Sequence, residues 1–392
     1  MVVLEVAVSL VLLIGAGLLM RSFQKLRHVD LGFQPDHILV TRTPLPEEHY
    51  KTADRLAGFF GPLRDRLKAL PGVTDPTEVS GFPPYGSDPS EIEVPGKSHE
   101  EKWAAIQQLC GPGFVDILRV RFWRAVLFAR TRSAPYVAVI NQAFQRKYFE
   151  GERVIGRQIR LVDLEKLPDP VKHAFFDVIG VVADARNQGV QQPALPEVWI
   201  PYSVTGSGTR GILVRTDGDP LLAANAVRSE IWALDRGVAP ISVQSLEHLI
   251  GANSYAQPRF GFLLIAVFAV LGLILVTIDV YSVISITTTR RTREIGIRMA
   301  LGAEPTLVER LVISNGLRLV GIGIVLGLAG SFALSGIVAS QLWGVSPHDL
   351  VTMVAVPVLI LLVGVLACRI PARRATRVSP HHRRREWLRV PL

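Results

Sequence analysis

The sequence predicts an α-helical transmembrane domain of four spans with a large extracytoplasmic α+β domain inserted into it. Three observations carry this prediction. Apolar runs recur, separated by polar sequence. A basic, helix-prone segment, Arg290–Ala303 (RRTREIGIRMALGA), lies between two of them. The long stretch between the first two runs mixes strand and helix patterns. Phe260–Ile278 holds about 19 uncharged residues and Leu319–Ala339 about 21, and at about 1.5 Å per residue either crosses a hydrocarbon core of about 30 Å. A charged segment between two spans lies at a membrane face. Arg290, Arg291, Arg293, Arg298 and Arg310 mark that face as cytoplasmic.

Composition points the same way. The chain has 392 residues, 49% of them apolar, and a mean hydropathy of +0.31. These values are high for a soluble protein and low for one made only of spans. The net charge of +9 does not imply nucleic acid, because eight arginines fall between Arg369 and Arg389, directly after the apolar run Leu350–Cys368. Basic residues in that position set topology and meet anionic lipid. Membrane lipid is thus an expected partner and nucleic acid is not. Cys110 and Cys368 make no disulfide framework and no CxxC site.

The first apolar run, Val6–Met20, reaches span length when counted from Val2 and then includes Glu5. It lacks the basic start and the cleavage site of a signal peptide, so residues 2–20 read as a membrane anchor. Residues 21–258 follow as the outer domain. Strands are expected at Ile38–Pro44, Val137–Ile140, Phe176–Val182, Glu197–Tyr202 and Gly211–Arg215. Helices are expected at Asp54–Leu70, stopped by Pro71-Gly72, at Gln142–Phe149 capped by Asn141, and from Asp219-Pro220 to Leu234. Gly81–Lys97 reads as an exposed loop. Residues 259–380 hold the remaining spans, about 260–282, 319–339 and 350–368, with a cytoplasmic loop at 287–310, and 381–392 form a basic cytoplasmic tail. Parity then puts both ends inside and Arg21–Arg259 outside. Arg21, Lys25 and Arg27 run against the charge rule there, but long domains translocate largely regardless of charge.

Catalytic chemistry finds little support. Gly96-Lys97-Ser98 imitates the end of a phosphate loop, yet Glu91 stands where that loop needs glycine. His173 and His248 have no partner at useful spacing, and no zinc, nucleophile-elbow or paired-carboxylate motif appears. No cofactor and no enzymatic activity are expected. Two other patterns do carry information. Gly323, Gly327, Ser331 and Ser335 recur every four residues, a small-residue stripe that lets membrane helices approach closely. In the basic segment, Arg291, Glu294 and Arg298 share one helical face, while Ile295, Met299 and Leu301 lie on the rest of the arc, with Gly302 as the stop. Asp279 stands one residue past the uncharged part of the second span, either interfacial or, if the helix stays in the membrane to Ile286, an intramembrane carboxylate.

These residues resemble a known family. RRTREIGIRMALGA, with Gly316–Gly330, Leu342–Asp349 (LWGVSPHD) and Ala367–Pro380 (ACRIPARRATRVSP), is similar to the FtsX-like permease domain of MacB-type ABC transporters. Ala134–Leu161 and EVWIPY resemble the MacB-like periplasmic core domain, and Val8–Leu39 the start of the second half of long, duplicated permeases of this family. The resemblance implies a non-catalytic permease in a bacterial inner membrane. Its partners would be a separate cytoplasmic ABC ATPase subunit and a second permease half or copy. Arg291, Glu294, Ile295, Arg298, Met299 and Leu301 would form the ATPase-coupling helix. A rival implication is an FtsX-like signalling subunit that regulates an extracytoplasmic cell-wall enzyme without transport. Three departures from the family pattern are visible: the first half of the duplicated type is not in this chain, as in a fragment or split subunit; Asp279 replaces a small residue; and the sequence after Pro380 diverges.

Overall fold

The computed structural model describes every residue except 47, 51, 87–88, 98–100, 126–135, 167–170, 205–208, 292–296, 298–303 and 377–392. The chain divides into two compact units, Met1–His28 with Gln257–Leu392, and Val29–Ala256.

The first unit is helical. α1 (Val2–Arg27), α7 (Ala256–Arg290), α8 (Pro305–Ala339) and α9 (Leu350–Thr376) are long and apolar enough to cross a membrane. Their shared core contains Val6, Leu10 and Ile14 of α1, Val276, Val280 and Ile284 of α7, Val320 and Ile324 of α8, and Ile360 and Cys368 of α9. Phe260, Val267 and Leu275 of α7 and Val325 and Ile337 of α8 are exposed, as side chains facing lipid must be. α8 opens on Glu304 with Pro305 at its first position, where a missing N–H costs nothing.

The second unit is α+β. Its strands are β1 (Ile38–Pro44), β2 (Val73–Val79), β3 (Pro89–Glu93), β4 (Trp103–Cys110), β5 (Phe122–Ala125), β6 (Val137–Asn141), β7 (Gln158–Leu161), β8 (Phe175–Val182), β9 (Glu197–Pro201), β10 (Thr209–Thr216) and β11 (Ile241–Ser245). Its helices are α2 (Ala53–Lys68), α3 (Phe114–Leu118), α4 (Gln142–Phe149), α5 (Ala224–Leu234) and α6 (Leu246–Ile250). β11, β1, β10 and β2 form an antiparallel sheet. Its apolar face holds Leu39, Ile212 and Val214 against Leu56, Phe59 and Leu63 of α2 and Val227 and Ile231 of α5. The other lobe closes on itself. β4 pairs β3, β3 pairs β7, β7 pairs β8, β8 pairs β6, β6 pairs β9, and β9 returns parallel to β4. Closure leaves no free edge within that ring. Its core includes Ile92, Ala105, Ile140, Ile159, Phe176 and Val198, with Phe144 and Tyr148 of α4.

The two lobes meet through one register pair, Val79 opposite Cys110. A buried charge sits at this seam. The Arg210 guanidinium stacks 3.8 Å from the Tyr202 ring and 4.7 Å from Phe60, and lies 3.9 Å from the Glu78 carboxylate. Burial raises the Glu78 carboxyl above the usual carboxylate range.

Two sequence expectations change. Gly81–Lys97 is not an exposed loop: β3 lies within it, and Phe82, Ile92 and Val94 are buried. Alternation of buried Ser90 and Ile92 with less buried neighbours is a strand pattern that the surrounding prolines and glycines mask. The helix expected from Pro220 begins as a 3-10 turn, Pro220–Ala223, before α5. Asp219 still caps it by accepting from the Leu221 N–H at 2.9 Å.

Candidate functional site

Helix packing in the membrane domain follows from side-chain size. A Cβ placed on Gly323 would stand 2.6 Å from Val6 Cβ, and one on Gly327 would stand 2.8 Å from the Ala7 carbonyl oxygen. Both glycines therefore lie directly against α1. Ser331 is buried and donates to the Gly327 carbonyl at 2.9 Å, whereas Ser335 is only half-buried and donates to the Phe332 carbonyl at 2.7 Å. Further close approaches escaped sequence reasoning, and Gly316 of α8, set against Cys368 of α9, is one of them. Gly272 of α7 faces Ser9, and Gly17 of α1 faces Thr352 of α9. Each is a lone glycine in an apolar run, with no repeat to announce it.

Two acids, one in each of two apolar helices, also come together. α7 continues unbroken through Arg290, so Asp279 lies inside the helix, and its carboxyl faces that of Glu5 at hydrogen-bonding range. The second Glu5 oxygen, Oε2, is buried and lacks a hydrogen-bond partner. A signal existed: one acid in each of two apolar runs, at ends that topology puts on the same membrane face.

At the opposite end of α1, two of the three cations that run against the charge rule, Arg21 and Lys25, have partners. Arg21 forms an ion pair with Asp349, and Lys25 Nζ donates to the Gly344 carbonyl at 2.6 Å. Ser22 Oγ accepts from the Trp343 N–H at 2.7 Å. Asp349 in turn accepts from the Thr352 N–H at 3.0 Å and the Thr352 hydroxyl at 2.9 Å. Those bonds, then the Arg21 charge, hold the Asp349 carboxyl below its ordinary value.

At the inner face, the end of α7 is described through Arg291. Arg291 is exposed, and its N–H is shared between the Thr287 and Thr288 carbonyls at 3.2 Å each, a common arrangement at a helix terminus. Ile297 is exposed. Glu294, Ile295, Arg298, Met299 and Leu301 lie outside the described residues, as does the 381–392 tail.

In the outer domain, the phosphate-loop look-alike is engaged in surface pairing. Lys97 Nζ donates to Glu152 at 2.9 Å and to the Tyr148 carbonyl at 3.1 Å. Glu91 pairs with Lys166 at 3.2 Å, and the hydrogen bond from Lys166 lowers the Glu91 carboxyl. Among the described residues, no His, Cys, Asp or Glu cluster could hold a metal. A buried polar network does stand out. Asn141 Oδ1 accepts from the Phe144 N–H at 2.9 Å and the Glu197 N–H at 3.0 Å. Asn187 Nδ2 donates to Glu197 Oε2 at 3.0 Å and to the Leu195 carbonyl at 2.9 Å, while its Oδ1 accepts from the Leu195 N–H. Burial pushes the Glu197 carboxyl up to about 7, against the lowering effect of Trp199 and Asn187.

Comparison with known proteins places these features. The FtsX-like permease C-terminal family matches residues 266–380, and the MacB-like periplasmic core domain matches residues 1–231. The macrolide export ATP-binding/permease protein MacB of Chromobacterium violaceum is 31% identical over 255 residues, covering 62% of this chain and 37% of that protein. The probable syringafactin export ATP-binding/permease protein SyfD of Pseudomonas syringae pv. tomato is 30% identical over 261 residues, covering 64% of this chain and 37% of that protein. The periplasmic region of MacB from Actinobacillus actinomycetemcomitans aligns with a TM-score of 0.38 at 13% identity, covering 58% of this chain and 96% of that one. The chain thus spans well under half the length of the two curated relatives. One family description covers more than half of its residues and a second covers most of the helical remainder, so this multi-pass inner-membrane chain, with its large domain outside the cytoplasm, belongs to the MacB/FtsX-type ABC transporter permeases.

Proposed function

We propose that the chain is the membrane subunit of an ABC-type export or mechanotransmission complex, in which a separate cytoplasmic ATPase drives movement of the extracytoplasmic domain. The observation that carries this reading is α7, a continuous helix from Ala256 to the start of the basic segment at Arg290. α7 alone has 35 residues, so at about 1.5 Å per residue it is longer than a hydrocarbon core of about 30 Å. Such a helix transmits displacement along its axis without needing a pore. The segment Arg291–Leu301 is the element that docks on the ATPase, with Arg291, Glu294 and Arg298 as its polar face and Ile295, Met299 and Leu301 as its apolar one. Gly323, Gly327, Ser331 and Ser335 form the packing stripe, with its glycine half set against α1. A second permease half or copy completes the assembly. The size of the outer domain, two lobes with separate cores, favours this reading over an FtsX-like regulator.

The test reverses the polar face. Exposed charge pairs contribute about 0.2–1 kcal/mol each, whereas apposed like charges cost several. Arg291→Glu with Arg298→Glu should abolish stimulation of the partner ATPase while insertion survives, because Arg290, Arg293 and Arg310 still mark the inner face. A cysteine cross-link from Thr292→Cys to the ATPase should vanish in the same background. Normal insertion with wild-type stimulation would reduce the segment to one that rests on lipid.

A further inference from the structure

The segment between α1 and β1 is not a loose linker. Residues 29–37 lie across both lobes of the outer domain and are bonded to each. On the ring of strands, the Arg186 N–H donates to the Leu31 carbonyl at 2.8 Å. The Gln34 N–H donates to the Leu118 carbonyl of α3 at 2.9 Å, and Arg119 donates to Gln34 Oε1 at 2.9 Å. α3 belongs to this lobe, since it follows β4 and its Phe114 ring packs edge-on against Trp199 of β9 at 5.1 Å. Gly32 has a φ of +77°, and a Cβ there would stand 2.3 Å from the Asp184 carbonyl oxygen. Main chain therefore rests on main chain, in a conformation that glycine alone adopts freely. Phe33 is buried and lines a small cavity with Phe114, Leu118 and Trp199.

On the antiparallel sheet the tie is Arg215 of β10. It is buried and donates to the Gln34 carbonyl at 2.9 Å and the Asp36 carbonyl at 3.0 Å, while its Nε donates to the Ile117 carbonyl of α3 at 2.6 Å. One rigid fork thus joins β10, α3 and residues 29–37, which a lysine ammonium could not do. The Thr216 N–H adds a bond to the His37 carbonyl at 2.9 Å. The direct strand connection between the lobes is narrow by comparison. It is the pair Val79 and Cys110, flanked by bonds from the Ser80 N–H to the Leu109 carbonyl and from the Gly111 N–H to the Glu78 carbonyl. The apolar cores on either side are separate. So short a ladder holds two bodies together better than it fixes the angle between them, and hinges are built from a few such residues.

We propose that residues 29–37 are a strap that latches the two lobes in one orientation, with the short ladder at Val79 and Cys110 as the hinge it spans. Gly32 and Arg215 are its fastenings, one on each lobe. Releasing either leaves the lobes joined but free to turn. The strap acts within the outer domain, whatever drives the permease.

The experiment uses the full chain in lipid nanodiscs, with nitroxide labels on Ser229→Cys of α5 and Lys147→Cys of α4, one exposed site on each lobe. Cys110 and Cys368 are buried and stay unlabelled, and singly labelled chains report any distance between copies. Double electron–electron resonance should give one narrow distance distribution when no other residue is changed. Arg215→Met and Gly32→Ala should each broaden it about twofold, while hydrogen exchange at the Gln34 and Arg186 amides speeds up about tenfold and exchange in β6 and β8 stays as it was. Arg215→Lys, which keeps the charge and loses the fork, should fall between. Unchanged distributions in variants whose strap amides are released would overturn the proposal. So would a broad distribution without either substitution, or strap amides that exchange there as freely as in an open chain. If near-UV circular dichroism shows that Arg215→Met has not folded, Gly32→Ala and the exchange rates of the unsubstituted strap decide the matter.

Discussion

The carboxyl of Glu197 contributes to the outer domain a pH dependence of unusual sign. Its ordinary value is 4.5, and burial moves it to about 7 in the folded chain. Between those values the unfolded chain has released the proton and the folded one keeps it. Stability therefore falls as pH rises from 4.5 to 7, by about 3 kcal/mol from this group, and then levels off. Asp163 and Glu165 act oppositely. Hydrogen bonds from Lys166 and Arg160 lower them, so their contribution is present above the unfolded values and is lost as pH falls through the folded ones. Glu197→Gln keeps a partner for Asn187 and removes the ionisable group. Its denaturant midpoint should decline less from pH 4.5 to 7 than that of the wild type, with Glu78, also raised by burial, supplying decline of the same sign; a full wild-type slope that persists in the variant would rule out Glu197 as the cause. The sequence shows Glu197 only as the first residue of a strand. Nothing local reveals that β4 and the Asn187 loop will cover it.

Elements depend on which glycines meet a neighbour. Gly327 faces the Ala7 carbonyl oxygen at a distance no Cβ tolerates, while a Cβ on Gly321, two residues before Gly323, would meet nothing within 4 Å. Gly327→Ala must push α1 away from α8 and should destabilise the membrane domain by about 1–3 kcal/mol. Gly321→Ala should be neutral or slightly stabilising, since alanine favours the helix over glycine. Unfolding in mixed micelles measures both. Equal effects at the two positions would show that α1 does not rest on this face of α8. Helix ends were more legible. Asn141 and Asp219 announce their caps by residue type, and Pro305 its helix start, because capping is settled within one turn. The strands β4, β5 and β7 were not read from the sequence, and neither were β2, β3 and β11. Pro76, Pro89 and a short polar sequence hide them, and pairing with distant strands makes them regular.

At the scale of the whole molecule, topology rests on arginine placement and on the parity of four spans. Arg21 and Lys25 oppose the rule, yet both are occupied by the connection between α8 and α9, through Asp349 and the Gly344 carbonyl. Cations bound in this way are structural contacts and weigh little as topological signals. A membrane-impermeant maleimide should label Ser98→Cys in spheroplasts and Thr292→Cys only after the membrane is opened. Cys110 and Cys368 are buried and should stay silent. The reverse pattern would invert the molecule and remove the coupling segment from the cytoplasm.

By itself the sequence determined the class of protein: four apolar runs, the basic segment between the second and third, and an α+β insertion. Each of these is written in residue type and spacing along a continuous stretch, because transfer into lipid and helix periodicity act locally. Only the tertiary structure decided that the strands of one lobe close into a ring, that Glu5 meets Asp279, that Arg21 meets Asp349, and that Gln108, Trp199 and Glu197 line one small cavity. Those pairs join residues far apart in the chain, and no local energy specifies them. They form because a buried polar group must find its partner wherever the packed elements bring one.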